Sequence, residues 1–187
     1  MTTFARFGYR KTSMEDVARA ADISRPGLYF LFTSKQSLFQ AAVVQALDQD
    51  VAAAQQALAD PVRPLRDRLV EAFDRWSGRY IGAMAREVAV LAETHPDLLG
   101  PVVADHPRRF AALVTAAIAH EVPAAAAGPA AEVARTLLSA AAGIKHEVAT
   151  RDEFVARTTV AVDLLLAALD CRADHALTRW GEASPSG

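Results

Sequence analysis

Apolar positions recur along this chain every three to four residues, the period of a helix that buries one face, and no stretch alternates as a half-buried strand does. The pattern predicts a short helix over Thr3 to Phe7, stopped by Gly8. Ser13 then reads as an N-cap, and Asp16 three residues on completes a capping-box-like pair. Met14, Val17, Ala18 and Ala21 share one face of the helix it opens. A tight turn at Ala21-Asp22 leads to Ser24, a second N-cap. Pro26 falls in the first turn that follows, where its missing N–H costs nothing. Leu28 and Phe32, with Leu31 as a candidate third, give that helix its apolar side. Thr33-Ser34 breaks it, and Ser34 can cap a long helix from Lys35 to about Leu58.

Beyond Asp60 the punctuation is regular. Pro61 and Pro64 open a helix expected to reach Gly82, with Leu65, Leu69, Phe73 and Trp76 inside. A shorter helix is expected from Met84 to Glu93, closed by His95-Pro96. The next begins near Asp97 to Pro101, has a candidate bend at Pro107, and continues through Phe110, Leu113, Val114 and Ile118 to Pro123. Gly128-Pro129 starts a helix to about Thr150, and Arg151-Asp152 joins it to a last helix ending near Leu169. From Arg172 the chain reads as a frayed tail. The fold class is therefore all-α. Its expected parts are a small N-terminal unit (1–40), a helical body (41–170) and a tail (171–187).

Composition agrees with helices: 52% of residues are hydrophobic, and Gly and Pro number only nine each. The formal net charge of −2 argues against a general polyanion binder. The charge is uneven, however, with +3 over residues 1–40 and −5 over the rest. A basic N-terminal segment on an acidic body is the form a local nucleic-acid footprint takes. Cys171 is the one cysteine, so no intrachain disulfide can form, and it reads as a small packed apolar residue. No apolar run approaches the ~20 residues of a membrane span, and the start has no signal-peptide pattern. A cytoplasmic protein without membrane association is expected.

The two short capped helices joined by a tight turn meet the geometry of a helix-turn-helix, whose second helix enters the major groove. The turn at position 22 often needs a left-handed backbone, which Asp tolerates better than most residues. The run Phe7-Gly8-Tyr9-Arg10-Lys11-Thr12-Ser13-Met14-Glu15-Asp16-Val17-Ala18-Arg19-Ala20-Ala21-Asp22-Ile23-Ser24, continuing as Arg25-Pro26-Gly27-Leu28-Tyr29-Phe30-Leu31-Phe32-Thr33-Ser34-Lys35-Gln36-Ser37-Leu38-Phe39, closely resembles the N-terminal signature of TetR/AcrR-family transcriptional regulators. The rest of the chain resembles that family only in being all-helical.

The resemblance implies residue roles that side-chain chemistry supports. Thr12 and Ser13 would bind phosphate through hydroxyl and helix-start N–H groups. Arg25, Pro26 and Gly27 would lead the second helix into the groove, with Arg25 on a guanine edge and Gly27 permitting close backbone approach. Tyr29 and Lys35 would each hold a phosphate. Phe30 and Leu31 depart from the aromatic and polar pair common there; they offer thymine methyls an apolar contact or pack inside. Readout would then lean on Arg25, backbone contacts and DNA shape. Family members also place a basic tail and most of a first helix ahead of this match, whereas only Met1-Thr2-Thr3 precede Phe4. The expectation is a native start upstream of Met1, the alternative a loosened DNA domain.

In the body, helices 129–150 and 152–169 are rich in Ala and Leu on more than one face, and a two-fold four-helix bundle between two copies would cover both. Phe73, Trp76, Tyr80, Met84, His106 and Phe110 are candidate walls of a chamber for a small lipophilic ligand. His146 and Glu147 lie near the expected interface; a pocket-lining or dimer hydrogen-bond role is the alternative there, a surface role the simpler reading. The five histidines show no metal-ligand spacing, and no catalytic constellation or cofactor motif is present. The reading is a homodimeric repressor that binds a palindromic operator in double-stranded DNA and is released by a lipophilic effector. The alternative is a ligand-binding or protein-interaction dimer with impaired DNA binding.

Overall fold

The computed structural model describes residues 2–81, 99, 102–121 and 127–181, and among these all regular structure is helical. Three short helices, α1 (Thr2–Phe7), α2 (Met14–Ala20) and α3 (Arg25–Leu31), precede the long α4 (Lys35–Leu58). The body follows as α5 (Leu65–Trp76), a 3-10 turn (Gly78–Tyr80), α6 (Val102–Glu121), α7 (Ala127–Glu147) and α8 (Arg151–Gly181). The helix expected from Met84 to Glu93 lies outside the described residues.

Two apolar clusters organise the chain, and α4 belongs to both. The N-terminal cluster joins Phe4, Met14, Ala18 and Leu28 to Leu38, Phe39 and Val43 on the first half of α4, with Leu99 added from the body. The larger cluster takes Ala54, Ala57 and Leu58 from the second half. Around them sit Leu69 and Phe73 of α5, Phe110, Val114 and Ile118 of α6, Leu137 and Ile144 of α7, and Phe154 and Val162 of α8. A boundary after residue 40 thus falls inside one continuous helix.

Two helix ends differ from the sequence expectation. α5 stops at Trp76, short of Gly82, and a 3-10 turn follows. A side chain at Gly78 would collide with the Asp74 carboxylate, which Arg151 of α8 holds by paired bonds of 2.6 and 2.7 Å. At the other end of α5, Arg66 forks onto Asp163 of α8 (2.6 and 3.1 Å), so ion pairs at both ends lash these two helices together. The last helix runs on to Gly181, twelve residues past Leu169. It starts at Arg151 because Thr150 caps it: the Thr150 hydroxyl accepts from the Glu153 N–H, and the Glu153 carboxylate accepts from the Ala149 N–H. Pro107 lies inside α6, in its second turn.

Candidate functional site

The N-terminal unit is built by its caps. Gly8 adopts φ 78°, the left-handed conformation that ends α1. Ser13 accepts from the Asp16 N–H at 3.1 Å, and the Asp16 carboxylate accepts from both the N–H and the hydroxyl of Ser13, completing the box. Those bonds, first the hydroxyl and then the N–H of Ser13, hold the Asp16 carboxyl below its usual range. Asp22 has φ 55°, so the left-handed turn residue is the one the sequence offers. The Ser24 hydroxyl then accepts from the Gly27 N–H at 3.1 Å and opens α3.

What α3 buries and what it shows are separated by its period. Leu28 is buried against α2 and α4, and Phe32 is half-buried beside it. The other positions, Arg25, Pro26, Tyr29, Phe30 and Leu31, flank or oppose Leu28 and are all exposed. Phe30 is 90% exposed, Leu31 64% and Tyr29 42%. Phe30 and Leu31 therefore do not pack inside. The Arg25 guanidinium lies 5.7 Å from the Tyr29 ring centre, and no carboxylate among the described residues pairs with it, nor with Arg10 or Lys11. A short helix presenting one unpaired arginine and three large side chains to solvent is arranged to meet another surface.

Three other expected contacts are more occupied. Thr12 is buried and donates its hydroxyl to the Gly8 carbonyl at 2.7 Å, so it braces the loop after α1. The Ser13 hydroxyl donates to Asp16 at 2.6 Å and is likewise engaged. Lys35 is half-buried, with Nζ donating to the Tyr9 carbonyl at 3.1 Å and lying 4.5 Å from the Tyr9 ring centre. Gly27 has a reason the sequence did not reveal: an added Cβ would come within 3.1 Å of the capping Ser24 oxygen. Short as α1 is, its Phe4 is buried edge-on against Phe39 of α4 at 5.2 Å.

The body contains a cavity of about 320 Å³ between α5, α6 and α7. Phe73, Trp76 and Phe110, three of the six expected walls, line it. Trp76 stacks on Phe110 at 5.0 Å, and Phe73 meets the same ring edge-on at 5.2 Å. Leu138, Ala141, Ala142 and Lys145 of α7 complete the wall together with His146. Lys145 escaped the sequence reading because a lysine near a helix end usually marks solvent.

Tyr80 and His106, also expected there, do not line this cavity, and each braces α4. The Tyr80 hydroxyl donates to the buried carboxylate of Asp50, which Arg79 also engages at 2.5 Å. Burial, and then this carboxylate, push the Tyr80 phenol well above its usual range. His106 is buried with Nε2 3.1 Å from Asp48, and Arg109 donates to the same oxygen at 2.9 Å. The Arg109 bond and then the His106 bond hold the Asp48 carboxyl below its usual range. Met84 lies outside the described residues. Among the described residues no acidic, His or Cys group is set to hold a metal ion, and no helix is long and apolar enough to cross a membrane.

Comparison with known proteins agrees with this geometry. The profile of bacterial regulatory proteins of the tetR family matches residues 1–42. No curated protein sequence matches the chain. Among solved structures, a TetR-family protein from Mesorhizobium loti superposes with a TM-score of 0.66 at 19% identity, over 89% of this chain and 91% of its own. The TetR family transcriptional regulator PfmR from Thermus thermophilus gives 0.53 at 20% identity, over 89% and 93%. Residues 1–42 thus match the tetR-family profile, and the chain as a whole shares the fold of these two TetR-family proteins.

Proposed function

We infer that the protein is a homodimeric transcriptional repressor that reads a palindromic operator with two copies of α3 and leaves it when a small lipophilic molecule enters the body. The observation that carries this reading is the exposed face of α3: a Ser-capped helix holding Arg25, Tyr29, Phe30 and Leu31 in solvent after a left-handed turn. Arg25 can fork onto a guanine edge, and Phe30 and Leu31 suit the methyl groups of thymine. With Thr12 and Ser13 engaged internally, phosphate contacts fall to Tyr29, to the remaining donors of Lys35 and to backbone N–H groups at the starts of α2 and α3. The dimer would form through α7 and α8, whose outer faces leave Val160 and Leu164 exposed beside Ser139, Ala142 and Gly143.

Release follows from α4 being shared by both cores. A ligand in the cavity between α5, α6 and α7 favours a body conformation in which the α4 rods, and with them the two copies of α3, no longer span one turn of DNA. Repression is the family's usual sense. The test is a titration of a duplex enriched from a randomised pool, at several salt concentrations. Affinity that falls steeply with salt and exceeds that for scrambled duplex supports the reading. Equal affinity for both sequences, or no salt dependence, contradicts it.

A further inference from the structure

One charge in the body lacks the partner its surroundings call for. Lys145 is half-buried in the wall of the cavity, and no carboxylate among the described residues pairs with it. Its Nζ lies 5.4 Å from the centre of the Tyr80 ring. Burial alone holds this lysine below its usual pKa. The buried arginine of the body, Arg68, is by contrast matched, by Glu121. Position in the last turn of α7 favours a cation at the helix terminus, but an exposed lysine would serve that end without losing hydration. The remaining walls are the rings of Phe73, Trp76 and Phe110 with Leu138, Ala141 and Ala142; Ser77 adds a hydroxyl and His146 a second nitrogen-bearing side chain.

We propose that the cavity takes a small amphipathic monoanion, a single carboxylate on a compact aromatic or aliphatic body, with Lys145 pairing the headgroup and Phe73, Trp76 and Phe110 enclosing the apolar part. This rests on the cavity being the effector site and specifies the effector's charge. The pairing also suggests how the signal leaves the site. A carboxylate at Lys145 draws the ammonium from the face of Tyr80, whose hydroxyl holds Asp50 on α4.

Calorimetric titration of the full chain with phenylbutyrate, phenylbutanol and phenylbutylamine tests it. The carboxylate should bind at least about tenfold more tightly than the alcohol, as a charge-assisted contact requires, and the amine should bind most weakly. In Lys145→Met the carboxylate's advantage over the alcohol should collapse to near parity while the alcohol keeps its affinity; Lys145→Arg should retain the advantage. Equal binding of acid and alcohol by the unmodified protein, or a preference that survives in Lys145→Met, overturns the proposal and leaves the cavity standing as an effector site. Binding of none of the three overturns both.

Discussion

At the scale of single residues, exposure separates the proposed reading residues from those that hold the fold. Phe30 touches so little of the protein that Phe30→Ser should leave the melting temperature unchanged within the ~0.5 kcal/mol typical of surface sites, yet weaken binding to a selected duplex. A melting loss as large as that of a core truncation would show that Phe30 packs after all. Thr158 is the converse case. It is buried on α8 and its hydroxyl finds no hydrogen-bond partner among the described residues, whereas the neighbouring Thr159 donates to the Val155 carbonyl at 2.8 Å. An orphaned buried hydroxyl costs more than its apolar replacement. Thr158→Val should therefore stabilise the protein by about 1 kcal/mol, raising its melting temperature by roughly 2–4 °C. A fall in melting temperature by calorimetry would contradict that assignment.

At the scale of helices, much was written in the caps and little in the cross-helix pairs. Ser13, Ser24 and Ser34 announce α2, α3 and α4, and Gly8 and Asp22 sit where a left-handed backbone is needed, because caps and turns are local chemistry. Thr150 with Glu153 carried an equally local signal for the start of α8, which a reading centred on Arg151-Asp152 passed over. The ion pair that ties the end of α5 to α8 was not legible, since Asp74 and Arg151 lie 77 positions apart. Nor was it legible that His106 and Tyr80 brace α4, because a sequence does not say which face of a helix meets which neighbour.

The Asp48 brace makes a prediction about pH. Its carboxyl is held below its usual range by Arg109 first and His106 second. A carboxyl depressed in the folded state contributes stability that is fully present above the unfolded pKa of about 4 and is lost as pH falls through the folded value. Asp48→Asn should therefore lower stability at neutral pH, and the gap from the unmodified protein should narrow below about pH 4. Parallel melting curves at all pH values would show that Asp48 adds nothing to the joint between α4 and α6.

At the scale of the whole molecule, the two apolar clusters strung on α4 would link the proposed effector site to the proposed reading head. The arrangement is useful only if two copies are held at a fixed spacing. Gly143 lies on the outer face of α7 with open space where a Cβ would stand, so Gly143→Arg fits the isolated chain and improves its helix propensity. Sedimentation should find this variant monomeric, with helical content retained and specific DNA affinity reduced. A persistent dimer would place the interface elsewhere.

The sequence logo of duplexes that the protein enriches from a randomised pool bears most directly on the α3 reading head. Two copies of α3 held by a dimer predict an inverted repeat whose half-sites lie about one helical turn apart, with guanine and thymine prominent where Arg25, Phe30 and Leu31 reach base edges. Enrichment of no motif, or of one without two-fold symmetry, would contradict it.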